Sequence, residues 1–424
     1  MKTVIMAGGR GTRIASVNSE VPKPMIPIAG KPILEWQIEC LRRQGLTEVI
    51  LVVGYLGHII REYFGDGSRF GVSVSYVTEE EPLGTAGALY LLKDTLAGDD
   101  FLLLCGDIIF DVDFSRFLTY HRQRGGVATL LTHPNSHPYD SGIIEADESG
   151  RITGWLHKEE KRLWYRNRVN AGIHLFSDRI LSRFTCLKKT DLDREVLKPL
   201  IPEGTLYAYD SPEYVKDMGT PDRYYAVTRD IESGLVEAKN LAHTQRAVFL
   251  DRDGTINRYV GFLRDIDDFT LLPKAAEAVR LINESGLLAI VVTNQPVIAR
   301  GEVTIAELEA IHRKMETLLG AEGAYLDAVY YCPHHPDSGF AGEIPALKIN
   351  CDCRKPKPGL LLRAARDYHI DLSRSYMIGD GDNDMAAGKA AGCTVARIGE
   401  QGDADFAGDS LFSCVQQILK EMSK

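Results

Sequence analysis

A short apolar stretch that runs directly into two acidic residues constrains this chain more than any other feature. Residues 247–257 read AVFLDRDGTIN, so a strand-like run is followed by Asp251 and Asp253. In an extended backbone, residues two apart point to the same side, which brings both carboxylates together at the end of the strand. A carboxylate can attack phosphorus when a divalent cation neutralises the crowded charge. We therefore predict that Asp251 is a nucleophile and Asp253 its general acid/base.

Further motifs downstream argue against the simpler alternative, a surface turn rich in Asp and Gly. The apolar run 287–292 ends in Thr293 and Asn294, whose hydroxyl and amide groups suit phosphate oxygens. Lys355 would neutralise a transferred phosphoryl group. A second apolar run, 376–378, leads to Gly-Asp at Asp380, with Asp384 four residues later. Carboxylate oxygens are the ligands that Mg²⁺ prefers.

These motifs, in this order, resemble those of the haloacid dehalogenase-like phosphatases. The resemblance implies a Rossmann-like α/β domain with Asp251, Asp253 and Asp380 as Mg²⁺ ligands and Lys355 as a catalytic cation. It also implies that Arg354 contacts the substrate.

A cysteine and histidine pattern lies within the same region. Cys332-x-His334 is followed, after a loop rich in glycine and proline, by Cys351-x-Cys353. Three thiolates and one imidazole complete a tetrahedral zinc site with no open position, so the zinc would be structural. His335 could replace His334, and unlinked thiols in a reducing cytosol are the simpler alternative. The pattern resembles that of heptose-bisphosphate phosphatases and the related histidinol phosphatases.

The N-terminus carries a second candidate site. Residues 2–6 read as a strand that opens into AGGRGTR, where glycines allow backbone amides to approach a ligand. A plain tight turn is the alternative. Arg13 in this loop and Lys23, held between two prolines, would provide charge for phosphates. The predicted triphosphate loop contains Gly8, Gly9, Gly11 and Thr12.

These residues resemble the signature of sugar-1-phosphate nucleotidyltransferases, over about the first 230 residues. The resemblance implies that Asp107 and Asp217 together hold Mg²⁺. It also implies that Lys158 binds the sugar 1-phosphate and that Asn170 and Gly172 contact the sugar.

The segment 79–87, EEEPLGTAG, matches the base-binding and sugar-binding part of the family and most resembles the mannose-1-phosphate guanylyltransferases. A carboxylate there could accept both Watson–Crick donors of guanine. Which of the three glutamates does so is open. The implied substrate-binding residues are Glu81, Gly84, Thr85 and Gly87.

The chain is too long for one ordinary core, and two α/β domains are predicted. We expect a Rossmann-like nucleotidyltransferase domain of the GT-A type over 1–235 and a linker over 236–246. A Rossmannoid phosphatase domain of the haloacid dehalogenase-like type, with its zinc-binding loop at 332–353, would occupy 247–424.

Composition excludes some partners. The net charge of −10 argues against a nucleic-acid partner. No apolar run has the length of a membrane span, and the N-terminus reads as a strand, so a cytoplasmic protein without membrane partners is expected. The oligomeric state is open.

The two resemblances suggest consecutive steps of GDP-heptose synthesis, with GTP and heptose phosphates as substrates. The alternative is a nucleotidyltransferase for mannose 1-phosphate or another hexose 1-phosphate. Its second domain would be a histidinol-phosphatase-like enzyme or a regulatory sugar-phosphate-binding module.

Overall fold

The computed structural model of the chain describes residues 1–9 and 20–422, and their contacts divide into two compact units. The first unit contains Met1–His133, Ile144–Leu156 and Asn170–Asn240, and the second contains Pro134–Ile143, His157–Val169 and Leu241–Lys424. The two α/β domains are confirmed, but the chain does not pass from one unit to the other at a single boundary. Two segments from the first 235 residues belong to the second unit.

The first unit is built on a nine-stranded sheet of the described residues, ordered β10-β9-β11-β6-β1-β4-β5, with β8 pairing to β11 and β12 to β8. Its strands, and those of two small separate pairs, are β1 Lys2–Met6, β2 Pro27–Ile28, β3 Lys31–Pro32, β4 Glu48–Val53, β5 Ser73–Thr78, β6 Phe101–Cys105, β7 Ile108–Asp111, β8 Ala128–His133, β9 Ile143–Ala146, β10 Ile152–Leu156, β11 Val169–Phe176, β12 Leu206–Asp210 and β13 Tyr214–Asp217.

Helices of this unit cover the sheet with their apolar sides. Helix α1 begins two residues after Lys31, and its apolar residues Leu34, Ile38 and Leu41 are fully buried. The α-helices are α1 Ile33–Arg43, α2 Gly57–Phe64, α3 Lys93–Leu96, α4 Phe114–Arg124, α5 Pro221–Glu232 and α6 Leu235–Ala238. Shorter 3₁₀ turns are Lys23–Met25, Ser68–Phe70, Gly87–Tyr90, Asp178–Arg183 and Lys198–Leu200, and Leu192–Leu197 is a π-helix.

The second unit has a six-stranded sheet, ordered β16-β15-β14-β17-β18-β19, with every pair parallel. Parallel strands need crossover connections, and the helices provide them. The strands are β14 Ala247–Leu250, β15 Leu288–Asn294, β16 Ala328–Cys332, β17 Tyr376–Gly379, β18 Thr394–Ile398 and β19 Phe406–Gly408. The α-helices are α7 Ala275–Glu284, α8 Pro296–Ala299, α9 Ile305–Ala321, α10 Gly359–Tyr368, α11 Asp382–Ala391 and α12 Leu411–Met422. The 3₁₀ turns are Pro138–Asp140, Ile266–Asp268, Pro345–Leu347 and Leu372–Arg374.

Helix α9 begins with a capping box. The Thr304 hydroxyl accepts a hydrogen bond from the Glu307 amide, and the Glu307 carboxylate accepts one from the Thr304 amide. Two amide groups without partners inside the helix are thereby satisfied. The helix then buries Leu308, Ile311 and Met315.

The predicted linker, 236–246, is held by hydrogen bonds within each unit. In the first unit, the Asn240 side-chain amide donates to Asp111 at 2.6 Å. In the second, the backbone of Gln245 exchanges hydrogen bonds with His369 and Asp371. Both Asn240 and Gln245 are buried, so this stretch is part of the packed structure.

Among the described residues, no helix combines the length and the apolar composition needed to cross a membrane.

Candidate active sites

The centre of the site in the second unit is a buried lysine between two carboxylates. Asp251 follows the central strand β14, and Asp384 lies in the first turn of α11. The Lys355 ammonium contacts the Asp251 carboxylate at 2.7 Å and the Asp384 carboxylate at 2.6 Å, and it donates to the Val292 carbonyl at 2.8 Å. Burial alone would lower the pKa of Lys355, but the two carboxylates raise it above its ordinary value. Lys355 is therefore charged in this site.

A third carboxylate joins this pair. One oxygen from each of Asp251, Asp380 and Asp384 lies within 4.8 Å of the others. Burial raises the pKa of Asp251, an effect that Lys355 opposes and Asp384 strengthens. A divalent cation suits such a cluster because it neutralises the excess negative charge with oxygen ligands. Asp253, predicted as a further side-chain ligand, does not belong to this group.

Asp253 is instead held by neighbouring side chains. The Arg252 guanidinium donates to both of its oxygens, at 2.6 and 2.9 Å. The side-chain amides of Gln295 and Asn257 each donate to it at 3.0 Å. A carboxylate fixed by three donors keeps a defined orientation, as an acid/base residue requires.

Thr293 and Asn294 lie at the end of β15, as predicted, but the Asn294 amide is occupied by protein groups. Its nitrogen donates to the Lys355 carbonyl and its oxygen accepts from the Lys355 amide, both at 3.0 Å. The Thr293 hydroxyl accepts a hydrogen bond from Gln295 at 2.9 Å. These contacts indicate that Asn294 positions Lys355, a role that its sequence position alone did not reveal.

The predicted cysteine and histidine group is assembled. Ligand atoms of Cys332, His334, Cys351 and Cys353 all lie within 4.8 Å of one another, with the three sulfur pairs at 3.2–3.5 Å. Three thiols and one imidazole are a donor set that zinc binds tetrahedrally. Of the two candidate histidines, His334 belongs to the group.

Arg354 lies between this group and Lys355, which follows it in sequence. Its guanidinium donates to the carbonyl of His334 at 3.3 Å. The contact therefore joins the backbone of the cysteine cluster to Arg354, which directly precedes Lys355.

In the first unit, the predicted metal carboxylates occur on two paired strands. Asp107 precedes β7, and Asp217 ends β13, opposite Ile108 in the antiparallel register. Lys23 forms an ion pair with Asp107 at 2.5 Å. Burial alone would raise the pKa of Asp217, but two hydrogen bonds from Arg223 lower it. Lys23, Asp107 and Asp217 therefore form one charged group.

The structure distinguishes the three glutamates of the base-binding segment. Glu79 faces the glycine-rich loop, because a Cβ atom added to Gly8 would lie 2.6 Å from its carboxylate. In the described part of the chain, the buried Oε1 atom of Glu79 has no hydrogen-bond partner. Glu80 and Glu81 are exposed. Which glutamate contacts a base was open in the sequence, where Glu81 was named among the implied substrate-binding residues; of the three, Glu79 is the one that faces the glycine-rich loop.

The residues that follow pack against the segment 188–192. A Cβ atom at Gly84 would lie 2.5 Å from the Thr190 carbonyl, and one at Gly87 would lie 2.4 Å from the Lys188 carbonyl. The Thr85 hydroxyl accepts from the Leu192 amide at 2.7 Å. Gly84, Thr85 and Gly87 thus fix the backbone that leads to Asp193.

Asp193 was missed by the sequence analysis. The Asn170 side-chain amide donates to its carboxylate at 3.4 Å, and Asn170 also accepts from the Gly172 amide at 3.1 Å. Burial raises the pKa of Asp193 to about 6. The predicted sugar-contacting residues therefore have an acidic neighbour from a different part of the chain.

The other residues predicted for the nucleotidyltransferase site are either exposed or outside the described residues. Lys158 is exposed in a turn after β10, within the segment His157–Val169 of the second unit. Gly9 is exposed and has open space around it. Gly11, Thr12 and Arg13 lie outside the described residues.

Replacement of Gly254 tests the carboxylate group. A Cβ atom at Gly254 would lie 2.1 Å from Asp380, and its φ of +85° is unfavourable for alanine. We expect Gly254→Ala to raise the Mg²⁺ concentration for half-maximal hydrolysis of 4-nitrophenyl phosphate, and to lower kcat about tenfold or more.

Gly261→Ala is the matched control, because Gly261 has a φ of +78° but open space around it. Both variants should lose similar stability, about 1 kcal/mol, from backbone strain. Equal phosphatase rates in the two variants would contradict the role given to Asp380.

Comparison with known proteins assigns a family to each part. Residues 2–234 match the family described as nucleotidyl transferase, and residues 195–392 match the haloacid dehalogenase-like hydrolases. A mannose-1-phosphate guanylyltransferase catalytic subunit beta from Danio rerio is 35% identical over 225 residues, which is 52% of this chain and 62% of that protein. A UTP–glucose-1-phosphate uridylyltransferase from Synechocystis is 31% identical over 255 residues, 57% of this chain and 65% of that protein.

The chain thus spans less than two thirds of the length of these relatives. A solved structure of the D,D-heptose 1,7-bisphosphate phosphatase from B. bronchiseptica is 31% identical and covers 42% of this chain and 99% of that one, with a TM-score of 0.37. The nucleotidyl transferase match extends over more than half of the 424 residues. The chain therefore belongs to the nucleotidyl transferase family and carries a haloacid dehalogenase-like hydrolase domain as its second part.

Proposed function

We propose that the chain is a bifunctional enzyme that removes a phosphate from a sugar bisphosphate and then transfers a nucleotide to the remaining sugar 1-phosphate. The observation that carries the phosphatase is the buried contact of Lys355 with Asp251 and Asp384, next to Asp380. The regulatory alternative, a domain that only binds, does not require a nucleophile, a cation and an oriented acid together.

The phosphatase reaction follows from the placement of these groups. An Asp251 oxygen attacks phosphorus, and the phosphate ester bond to the sugar breaks. Asp253 gives its proton to the leaving oxygen, then takes one from the water that hydrolyses the aspartyl phosphate. Lys355 neutralises charge near the phosphoryl group. Mg²⁺ held by Asp251, Asp380 and Asp384 would supply further neutralisation.

In the nucleotidyl transfer, an oxygen of the sugar 1-phosphate attacks the α-phosphorus of the nucleotide and pyrophosphate leaves. Lys23 contributes positive charge near the phosphates, and Arg13 is proposed to do the same from the glycine-rich loop. Asp107 and Asp217 would hold Mg²⁺, which neutralises the charge of the reacting phosphates. Asn170 and Asp193, which are hydrogen-bonded to each other, would exchange hydrogen bonds with sugar hydroxyl groups.

We infer that the nucleotide is GTP. The Glu79 carboxylate can accept the two Watson–Crick donors of guanine, one on each oxygen, and uracil does not offer such a pair. Its buried Oε1 atom has no hydrogen-bond partner among the described residues. Burial raises the pKa of Glu79 above its ordinary value, so a donor from the base would stabilise the charged form. The Danio rerio relative is named as a guanylyltransferase, although the Synechocystis relative is named as a uridylyltransferase.

We further propose that the sugar is a heptose. The cysteine cluster followed by Arg354 and Lys355 resembles that of heptose-bisphosphate phosphatases. The first unit resembles mannose-1-phosphate guanylyltransferases, which act on a manno-configured sugar. Loss of the 7-phosphate from heptose 1,7-bisphosphate gives the heptose 1-phosphate that the first unit would use. Histidinol phosphate would leave the two reactions without a shared metabolite.

We propose a structural zinc ion at Cys332, His334, Cys351 and Cys353. The four residues leave no position for substrate, and they hold together a loop with little apolar content.

A substrate panel tests the pathway. We expect the phosphatase to show its highest kcat/KM with α-heptose 1,7-bisphosphate, because the transferase requires the α-1-phosphate that this substrate leaves. The β-anomer and histidinol phosphate should be slower, and the heptose 1-phosphate should react with GTP in preference to ATP, UTP or dTTP. Glu79→Gln should reduce the preference for GTP over UTP by about tenfold or more, since an amide cannot accept two donors.

Glu81→Gln is the control for Glu79→Gln, because Glu81 is exposed. A preference for histidinol phosphate or for another nucleotide would overturn the pathway and leave both reaction types in place.

Two variants should separate the reactions. Asp251→Asn should abolish phosphatase turnover because an amide is a poor nucleophile, while nucleotidyl transfer continues. Lys23→Ala should do the reverse and lower nucleotidyl transfer by about a hundredfold or more, since a charge near the phosphates is lost. Rates of phosphate and pyrophosphate release measure the two reactions, and each variant serves as the control for the other. Normal phosphatase turnover in Asp251→Asn would refute the assignment of the nucleophile.

Elemental analysis of protein purified without added metal should give one zinc per chain. Cys353→Ser should lower the zinc content and reduce Tm by about 5 °C or more, because structural zinc binding contributes to folding. Cys186→Ser is the control, since Cys186 is exposed. A wild-type protein that is stable without zinc would argue against the site.

A further inference from the structure

A segment from the first 235 residues is bound into the second unit by backbone and side-chain contacts. The Tyr165 amide donates to the Thr317 hydroxyl at 2.9 Å, and the single proton of that hydroxyl is shared between the Arg313 carbonyl at 2.7 Å and the Tyr165 carbonyl at 3.1 Å. The Asn167 amide donates to the Glu316 carboxylate at 3.0 Å. All of these residues belong to the second unit, and Thr317 and Glu316 lie on α9. The segment is therefore fixed to this helix in two consecutive places.

Arg168 extends this attachment with a buried charge. Its guanidinium lies 3.4 Å from the Glu316 carboxylate and donates to the carbonyls of Asn167 and Asp327 at 2.8 Å and of Leu326 at 3.3 Å. Arg168 is 4% exposed and Glu316 is 3% exposed. A buried charge is tolerated only when it is paired and hydrogen-bonded. Arg168 is the nearer and the buried cation for Glu316, whose carboxylate also lies 3.9 Å from the guanidinium of Arg166 in the same segment.

Helix α9 carries the effect of this pair toward the catalytic residues. Glu316 lies one turn after His312, on the same face of the helix. The His312 Nε2 atom is 3.4 Å from the Arg252 guanidinium. Burial, and then the charge of Arg252, lower the pKa of His312 well below its ordinary value. His312 is therefore neutral and can accept the hydrogen bond from Arg252.

Arg252 connects the helix to the acid/base. Its side chain is fully buried, and it donates to Asp253 and, at 3.2 Å, to the Gln295 side-chain oxygen. The position of the guanidinium is thus set by His312 on one side and by Gln295 on the other. Asp253 takes its orientation from both Arg252 and Gln295.

We propose that Arg168 and Glu316 are positioning residues of the phosphatase, which act through α9, His312 and Arg252 to orient Asp253. The proposal rests on the phosphatase activity inferred above. It assigns a role in that reaction to a stretch of chain that lies, in sequence, within the nucleotidyl transferase match.

The choice of substrate can separate positioning of an acid from general support of the fold. Breakage of a sugar phosphate ester requires a proton from Asp253, because an alkoxide is a poor leaving group. 4-Nitrophenolate leaves without that proton. Since kcat/KM reports the first irreversible step, the ratio of kcat/KM for the two esters measures how well the acid is placed. That ratio does not depend on how much of a preparation is folded.

The experiment compares full-length wild type, Glu316→Gln, Arg168→Gln and Arg168→Lys with α-heptose 1,7-bisphosphate and 4-nitrophenyl phosphate. Both glutamine variants should lower the ratio of sugar ester to aryl ester by about tenfold or more, part of what a general acid contributes. Arg168→Lys keeps the charge and should recover part of the ratio. Glu322→Gln, an exposed acidic residue at the end of the same helix, is the control and should leave the ratio unchanged.

An unchanged ratio in both glutamine variants would overturn the proposal, even if their Tm or their overall rates fall. A wild-type chain that hydrolyses neither ester would instead overturn the proposed phosphatase function, and the positioning role with it. Because the first outcome requires an active wild type, the two failures are distinguishable.

Discussion

The arrangement of the second unit depends on one buried ammonium group. Lys355 is 3% exposed, and it lies between carboxylates that follow different elements of the fold. Neither a lone buried cation nor two adjacent carboxylates would be stable there, because each carries a large desolvation or repulsion cost. Together they constrain the ends of β14 and β15 and the start of α11 to one arrangement. The Asn294 side chain adds to this constraint by holding the Lys355 backbone on both sides.

Much of this arrangement could be predicted from the sequence, because it follows from local patterns. Apolar runs that end in acidic or polar residues identified β14, β15 and β17, and parallel strands bring their carboxyl ends to one edge. The assembly of the cysteine cluster was equally predictable, since its spacing and donor types match the pattern of a structural zinc site. The sequence left His335 as an alternative to His334, and the structure places His334 in the cluster.

Other features could not be predicted, because they depend on contacts between distant parts of the chain. Three consecutive glutamates cannot be distinguished in the sequence, and Glu79 differs from the other two by its closeness to Gly8. Asp193 meets Asn170 through a π-helix that the sequence did not indicate. The single domain boundary was predicted from composition, yet the segment with Arg168 pairs with Glu316, 148 residues away. No local pattern marks such a pair.

The five crossings of the chain between its two units bear on how such a fusion can arise and be taken apart. A coding sequence cut after residue 240 would yield a downstream fragment without Pro134–Ile143 and His157–Val169. That fragment would retain Glu316 and lose both arginines that pair with it, Arg166 and Arg168. Recombination that exchanged either half for a relative from another lineage would meet the same difficulty, since the two segments would have to change in step with α9. Because the two segments must stay with α9, the coding sequences of the two units would remain joined, independently of any benefit from making two enzymes as one chain.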